Sequence, residues 1–219
     1  MGTRSARKLV LWGAVIIVVV VGVIIGTYAW NQQRARQVAA FAASAQLMGL
    51  TQIPNQPAPD MNLIDQNGNR VSLSSFRGKI VVLEFMDPVC TDICPIVSAE
   101  FVRANQLLGS RSRGVVFVAV NVNQYHESVA DVKKFSNQHG LSKLNNWYFL
   151  TGSTSQLQKV WKDYNIYVKP NPTGDVQHSS FMYFIDRNGN EQALANPDNN
   201  PSQVEPWAKG IVAVTLQMV

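Results

Sequence analysis

The chain has 219 residues, of which 46% are apolar and only 15% charged, where ordinary soluble domains carry roughly 25% charged residues. Nineteen basic against fourteen acidic side chains give +5, but Arg4, Arg7 and Lys8 stand ahead of residue 9 and no acid precedes Asp60; no basic run follows Arg36, which excludes a nucleic-acid-binding stripe. Two cysteines, Cys90 and Cys94, exclude a multi-disulfide scaffold and a four-cysteine zinc site.

From Leu9 to Trp30 there is no charged side chain. About 20 such residues cross a hydrocarbon core of about 30 Å as a helix, the one form that satisfies its own backbone in lipid. Trp12, Tyr28 and Trp30 lie near the ends, where amphipathic rings favour the headgroup layer. The rival reading, a cleaved signal peptide, has an apolar region of about 7–15 residues, and the candidate cleavage site Ala43-Ser44-Ala45 lies far beyond the span. Residues 1–8 are therefore expected in the cytoplasm, residues 9–30 in the membrane, and the rest outside, by the bias of basic flanks toward the cytoplasm. Gly22 and Gly26 form a GxxxG pair that offers a face for a homodimer. Residues 31–57 read as a connector, Ala-rich over Ala39–Leu50, where an interfacial helix is open to it, and then broken by Pro54, Pro57 and Pro59, with the folded domain over 58–219.

The domain opens on a hairpin pattern, 61–64 and 70–73, around the Asn67-Gly68 turn signal. Ile80–Phe85 reads as a buried strand, and 96–108 as a helix with Val97, Phe101, Ala104 and Leu108 on one face. Val115–Val122 is a second strand; Val129–His139 suits a helix stopped by Gly140. A third strand over 147–150 precedes a helix over 154–164 capped by Thr154 or Ser155. A fourth strand over 179–185 turns at 186–189, and 202–217 closes the chain as a helix. Apolar strands alternating with helices predict an α/β fold, a central mixed sheet covered on both faces, with its chemistry at the carboxyl ends of the strands.

Both cysteines occupy such a place, after the first buried strand. The spacing Cys90-x-x-x-Cys94-Pro95 puts a thiol near a helix N-terminus, which favours the thiolate. A thiolate pair suits two jobs, dithiol–disulfide exchange or holding Cu(I) as soft ligands. A purely structural bridge is the third reading, weakened because so short a loop stabilises little. Of the three histidines, His126 and His139 read as surface or capping residues, whereas His178 stands before an apolar strand, after a loop over 169–174, where ligation is open to it.

Cys-x-x-x-Cys-Pro after a buried strand, with a later His178-Ser179 and a strand ending Ile185-Asp186-x-x-Gly189, resembles the Sco (SenC-type) family of membrane-anchored copper chaperones over roughly residues 58–217. The resemblance implies a thioredoxin-like fold with one N-terminal transmembrane helix. It implies one copper ion, Cu(I) or Cu(II), held by Cys90, Cys94 and His178. It implies a partner in the copper-site subunit of cytochrome c oxidase or another extracytoplasmic copper protein, served by copper delivery or by reduction of its cysteines. The alternative is a membrane-tethered thiol–disulfide oxidoreductase with Cys90 and Cys94 as the redox-active pair and no delivery role. The lack of a long Arg- and Ser-rich presequence favours a bacterial cytoplasmic membrane.

Two features depart from the family pattern. Thr91 replaces the usual Pro after the first cysteine, and Asn121-Val122-Asn123 stands where the family carries Val-Asp-Pro with further acids. The ligand set is intact. Two thiolates and one neutral imidazole make an open three-coordinate set that suits Cu(I) and leaves a closed zinc tetrahedron one ligand short. Met86 and Met182 lie four residues from Cys90 and His178, as core residues or as thioether donors.

Overall fold

Helix α1 (Thr3–Leu47) runs for 45 residues without a break. The computed structural model describes residues 3–173 and 176–218, with the side chains of 3–11 and 13–15 outside that description. The basic flank Arg4, Arg7 and Lys8 and the pair Gly174–Asp175 before His178 therefore lie outside the described side chains. In α1, apolar side chains such as Ile16, Ile24 and Trp30 stand exposed, and over Ile16–Leu47 it is long and apolar enough to cross a membrane. The helix continues past Trp30 and takes in the Ala-rich stretch from Ala39 without a break, where the connector reading allows a separate interfacial helix. Gln, Arg and Ala over residues 32–47 are good helix formers, and no Gly or Pro intervenes before Gly49.

The chain divides into two compact units, the second beginning at Ala43. In that unit a six-stranded sheet has the order β1-β10-β9-β4-β5-β6. The strands are β1 (Thr51–Pro57), β4 (Ile80–Met86), β5 (Val115–Asn121), β6 (Trp147–Leu150), β9 (Met182–Ile185) and β10 (Asn190–Ala195). Strands β4, β5 and β6 are parallel, Ile80 opposite Val115 and Phe117 opposite Trp147, while β9 runs antiparallel to β4, with Leu83 opposite Tyr183. This is the mixed sheet the sequence predicts.

Two strands of this sheet were not anticipated. The segment 51–57 is not a free extended connector but an edge strand paired with β10, where Pro54 is tolerated because an edge strand need not donate every N–H. The sheet therefore begins ahead of residue 58. Strand β10 alternates half-buried and buried residues, with Glu191, Ala193 and Ala195 inward.

Helices cover both faces, as the near-continuous apolar strands require. Phe101 of α2 (Ile93–Leu108) meets Phe117 at 5.0 Å between ring centroids, and Phe135 of α3 (Val129–Gln138) meets Phe149 at 5.6 Å. On the opposite face Leu157, Val160 and Trp161 of α4 (Thr154–Asp163) join the core of Val81, Leu83 and Phe85. The cap of α4 is Ser153, not Thr154 or Ser155: Ser153 and Gln156 form a reciprocal capping box. The β2–β3 hairpin (Asn62–Ile64 and Arg70–Ser72) packs on the same core, and α5 (Val204–Gln217) closes the unit.

Candidate metal and thiol site

The sheet register brings three segments to one end. Parallel β4 and β5 end together, Met86 opposite Asn121, and antiparallel β9 starts beside the end of β4. The cysteine loop (87–92), the segment after β5 (122–128) and the stretch leading into β9 therefore share this end. His178 lies ahead of the longer strand, as read, but in a two-residue strand of its own, β8 (Gln177–His178), paired with β7 (Val168–Lys169), and the longer strand expected from Ser179 starts at Met182.

The cysteine loop is shaped by Asp87. Its Oδ1 accepts the N–H of Val89 at 2.9 Å and its carbonyl accepts that of Cys90 at 3.1 Å, a turn that delivers Cys90 to the start of α2. The residue preceding that helix, Asp92, gives no side-chain cap. Instead the N–H of Cys94 points at Cys90 Sγ, 3.4 Å away, so the sulfur serves one of the helix's unmatched donors. Both cysteines are present as thiols, Cys90 half-buried and Cys94 buried. The side-chain hydrogen bond to Cys90, then burial, then the charge of Cys90 hold the Cys94 thiol well above its ordinary pKa.

His178 is half-buried, and its Nδ1 lies 2.9 Å from the carbonyl of Ser179. A carbonyl only accepts, so Nδ1 carries the proton and Nε2 keeps its lone pair for a ligand. Burial lowers its pKa, against the Ser179 bond and the charge of Asp87. The neutral imidazole this favours is the form that binds metal. The thiol pair is assembled, whereas His178 stands on the neighbouring segment: among the described residues no three His, Cys, Asp or Glu side chains are close enough to enclose an ion.

His139 is the C-cap of α3 and His126 is partly exposed, as capping and surface residues would be. They line, with Cys90, Thr91 and Phe135, a cleft of about 490 Å³ between the cysteine loop and α3. His126 pairs with Asp131 at 3.7 Å, and His139 stacks on Phe135 with centroids 4.3 Å apart, its pKa lowered by burial. Met86 and Met182 are buried in strands, as core residues would be.

Sequence reasoning missed two features. One is Asp87 itself, buried and bonded to Asn123 and Val176. The other is a pair of buried acids behind the thiols. Glu84 of β4 accepts from the N–H of Phe85 and the hydroxyl of Ser180, and burial pushes its pKa up to about 8. Glu100 of α2 has no hydrogen-bond partner on either oxygen among the described residues, and burial, then the charges of Glu84 and Asp198, push it up to about 9. An acid inside an otherwise apolar strand was the visible signal for Glu84.

Comparison with known proteins agrees with this architecture. The chain is 30% identical over 128 residues to the SCO1 protein homolog of Bacillus subtilis, an alignment spanning 57% of this chain and 66% of that one. The Arabidopsis thaliana ScoI structure with copper bound superposes with a TM-score of 0.62 at 22% identity, covering 74% of this chain and 99% of that one, which shows a shared fold. BsSco, described as a Sco-family cytochrome c oxidase assembly protein with a disulfide switch, superposes with a TM-score of 0.58 at 26% identity, covering 71% and 95%. With a thioredoxin-like sheet, a thiol pair at its carboxyl end and a match of residues 51–212 to the SCO1/SenC family model, the chain belongs to the SCO1/SenC family.

Proposed function

We propose that this protein carries one copper ion on Cys90, Cys94 and His178 and passes it to the binuclear copper site of cytochrome c oxidase, or to another extracytoplasmic copper protein. The observation that carries the reading is the His178 Nδ1–Ser179 contact, which leaves Nε2 for a metal at the sheet end that holds both thiols. Cu(I) is cargo here. Loading takes the thiol protons from Cys90 and Cys94, and the neutral imidazole needs to lose none. An open three-donor set lets an incoming ligand share the ion before the outgoing one leaves. His178 is the donor supplied by the neighbouring segment, β8.

The domain sits outside the cytoplasmic membrane of a bacterium in this reading, tethered by α1 with the basic residues Arg4, Arg7 and Lys8 on the cytoplasmic side. Two copies would meet through Gly22 and Gly26 on α1.

A second role for the same pair is reduction of the target's cysteines, favoured by the unequal thiols. Cys90 thiolate attacks one sulfur of the target disulfide and the other sulfur leaves as a thiolate. Cys94 then loses its proton and attacks Cys90 Sγ, releasing the target as a dithiol and leaving a Cys90–Cys94 disulfide. The deciding experiment titrates Cu(I) into the full chain, reduced and anaerobic in detergent, against a competing chelator, with Cys90→Ser, Cys94→Ser and His178→Ala beside it. Tight one-to-one binding lost or much weakened in all three variants supports the carrier. No tight binding to the unaltered chain, together with reduction of a target disulfide, overturns it in favour of the oxidoreductase.

A further inference from the structure

We infer that Asp87 is the positioning residue of this site, the buried carboxylate that sets the segment bearing His178 against the loop bearing the thiols. The inference rests on the copper-carrier reading and concerns a side chain that is not one of its ligands. Asp87 is 1% exposed, one residue beyond β4. Its two oxygens take donors from three separate segments. Oδ1 accepts the N–H of Val89 in its own loop at 2.9 Å. The amide of Asn123, after β5, donates to Oδ1 and Oδ2 at 3.1 and 3.2 Å. The N–H of Val176, two residues before His178, donates to Oδ2 at 3.0 Å.

The other ends of these bonds are fixed too. Asn123 Oδ1 accepts the N–H of Tyr125, and the N–H of Asn123 goes to Asn121 Oδ1. Asn121 Nδ2 reaches the carbonyl of His126 and the hydroxyl of Thr151 beyond β6. Val176 is itself buried in the core. A buried carboxylate persists only with such donors, and each is stronger than a neutral bond. The arrangement also explains why an amide stands at position 123. A carboxyl there would face that of Asp87 at about the same 3 Å, a separation two carboxyls keep only by sharing a proton, whereas the amide donates to both oxygens outright.

Asp87→Asn keeps the shape but leaves one acceptor oxygen for three donors. Partners behind the ligands of a metal site typically contribute about 10–100-fold in affinity. The test uses the full chain in detergent, with Cu(I) alone as the probe under chelator competition. Asp87→Asn is expected to weaken Cu(I) binding by about 10–100-fold, and Asp87→Asn/Asn123→Asp, which restores an amide–carboxylate pair across the gap, to recover part of it. In the His178→Ala background the loss from Asp87→Asn should shrink, because the part carried by the Val176 bond runs through His178 and only the Val89 bond in the cysteine loop still counts. An equal loss in both backgrounds, or no rescue by the exchanged pair, overturns the inference.

Amide hydrogen exchange on the metal-free protein supplies an independent reading. Asp87→Asn should speed exchange at Val176 and His178 while leaving the β4–β5 ladder unchanged. Unchanged exchange at those two amides also overturns it. Failure of the unaltered chain to bind Cu(I) removes the carrier reading instead, and the exchange result still decides whether Asp87 holds the segment.

Discussion

The backbone N–H of Cys94 is aimed at Cys90 Sγ across 3.4 Å, so the two thiols of the pair are unequal. The helix start favours negative charge on the half-buried Cys90 sulfur, while Cys94 is 2% exposed and its thiol is pushed well above the usual range by its bond to Cys90 and by burial. Limited alkylation with iodoacetamide at pH 7, followed by peptide mass spectrometry, should label Cys90 at least about 10-fold faster than Cys94, since reaction follows thiolate content and access. Equal labelling would mean that the buried thiol is neither shielded nor held protonated.

Copper retention should depend on the oxidation state of this pair. A Cys90–Cys94 disulfide removes both thiolate donors at once and leaves His178 as a single imidazole, too weak alone to compete for Cu(I). Treating the copper-loaded chain with a thiol oxidant should release the ion to a chelator, and reduction should restore binding. A copper complex that survives complete oxidation of both cysteines would place the ion elsewhere.

Much of this architecture is legible in the residues. Strands β4 and β5 are apolar throughout but for Glu84 and Asn121, and only a sheet covered on both faces asks for that. The thiol pair announces itself because thiols are rare. Strand β10 does not, since Asn190-Glu191-Gln192-Ala193 carries neither β-branched nor aromatic residues and is held by its neighbours on both sides. Asp87 was invisible for a different reason. Its partners Asn123 and Val176 lie 36 and 89 positions away, and nothing local marks residues that only the sheet register brings together. The α4 cap was within reach: three hydroxyl residues adjoin, and Gln156 three positions on selects Ser153 by the capping-box rule.

That cap gives a test of how α4 supports the site. Trp161 on α4 donates its Nε1–H to the carbonyl of Asn121, the residue that orients Asn123. Ser153→Ala removes the acceptor for the Gln156 N–H and should lower stability by about 1 kcal/mol, with Ser153→Thr close to neutral. Denaturant unfolding of the three forms measures it. A loss below a few tenths of a kcal/mol would show that packing of Leu157, Val160 and Trp161 alone starts this helix.

The buried acids set the pH dependence of stability. Glu84 and Glu100 have folded pKa values of about 8 and about 9, against 4.5 for an exposed glutamate, chiefly because burial disfavours the charged form. Between pH 4.5 and 8 the folded chain therefore holds protons that the unfolded chain has released, so stability is full below pH 4.5 and falls as pH rises toward 8 or 9, by up to about 1.4 kcal/mol per pH unit for each group. Glu84→Gln and Glu100→Gln keep the shape and cannot ionise. Each should be close to the unaltered chain near pH 5, or slightly weaker where the new amide lacks a partner, and more stable by about 3 kcal/mol near pH 7. Thermal unfolding from pH 5 to 9 follows the difference. Parallel curves for variant and unaltered chain would mean that these carboxyls ionise in the folded protein as they do in water, and that water or a counter-charge reaches Glu84 behind Cys94.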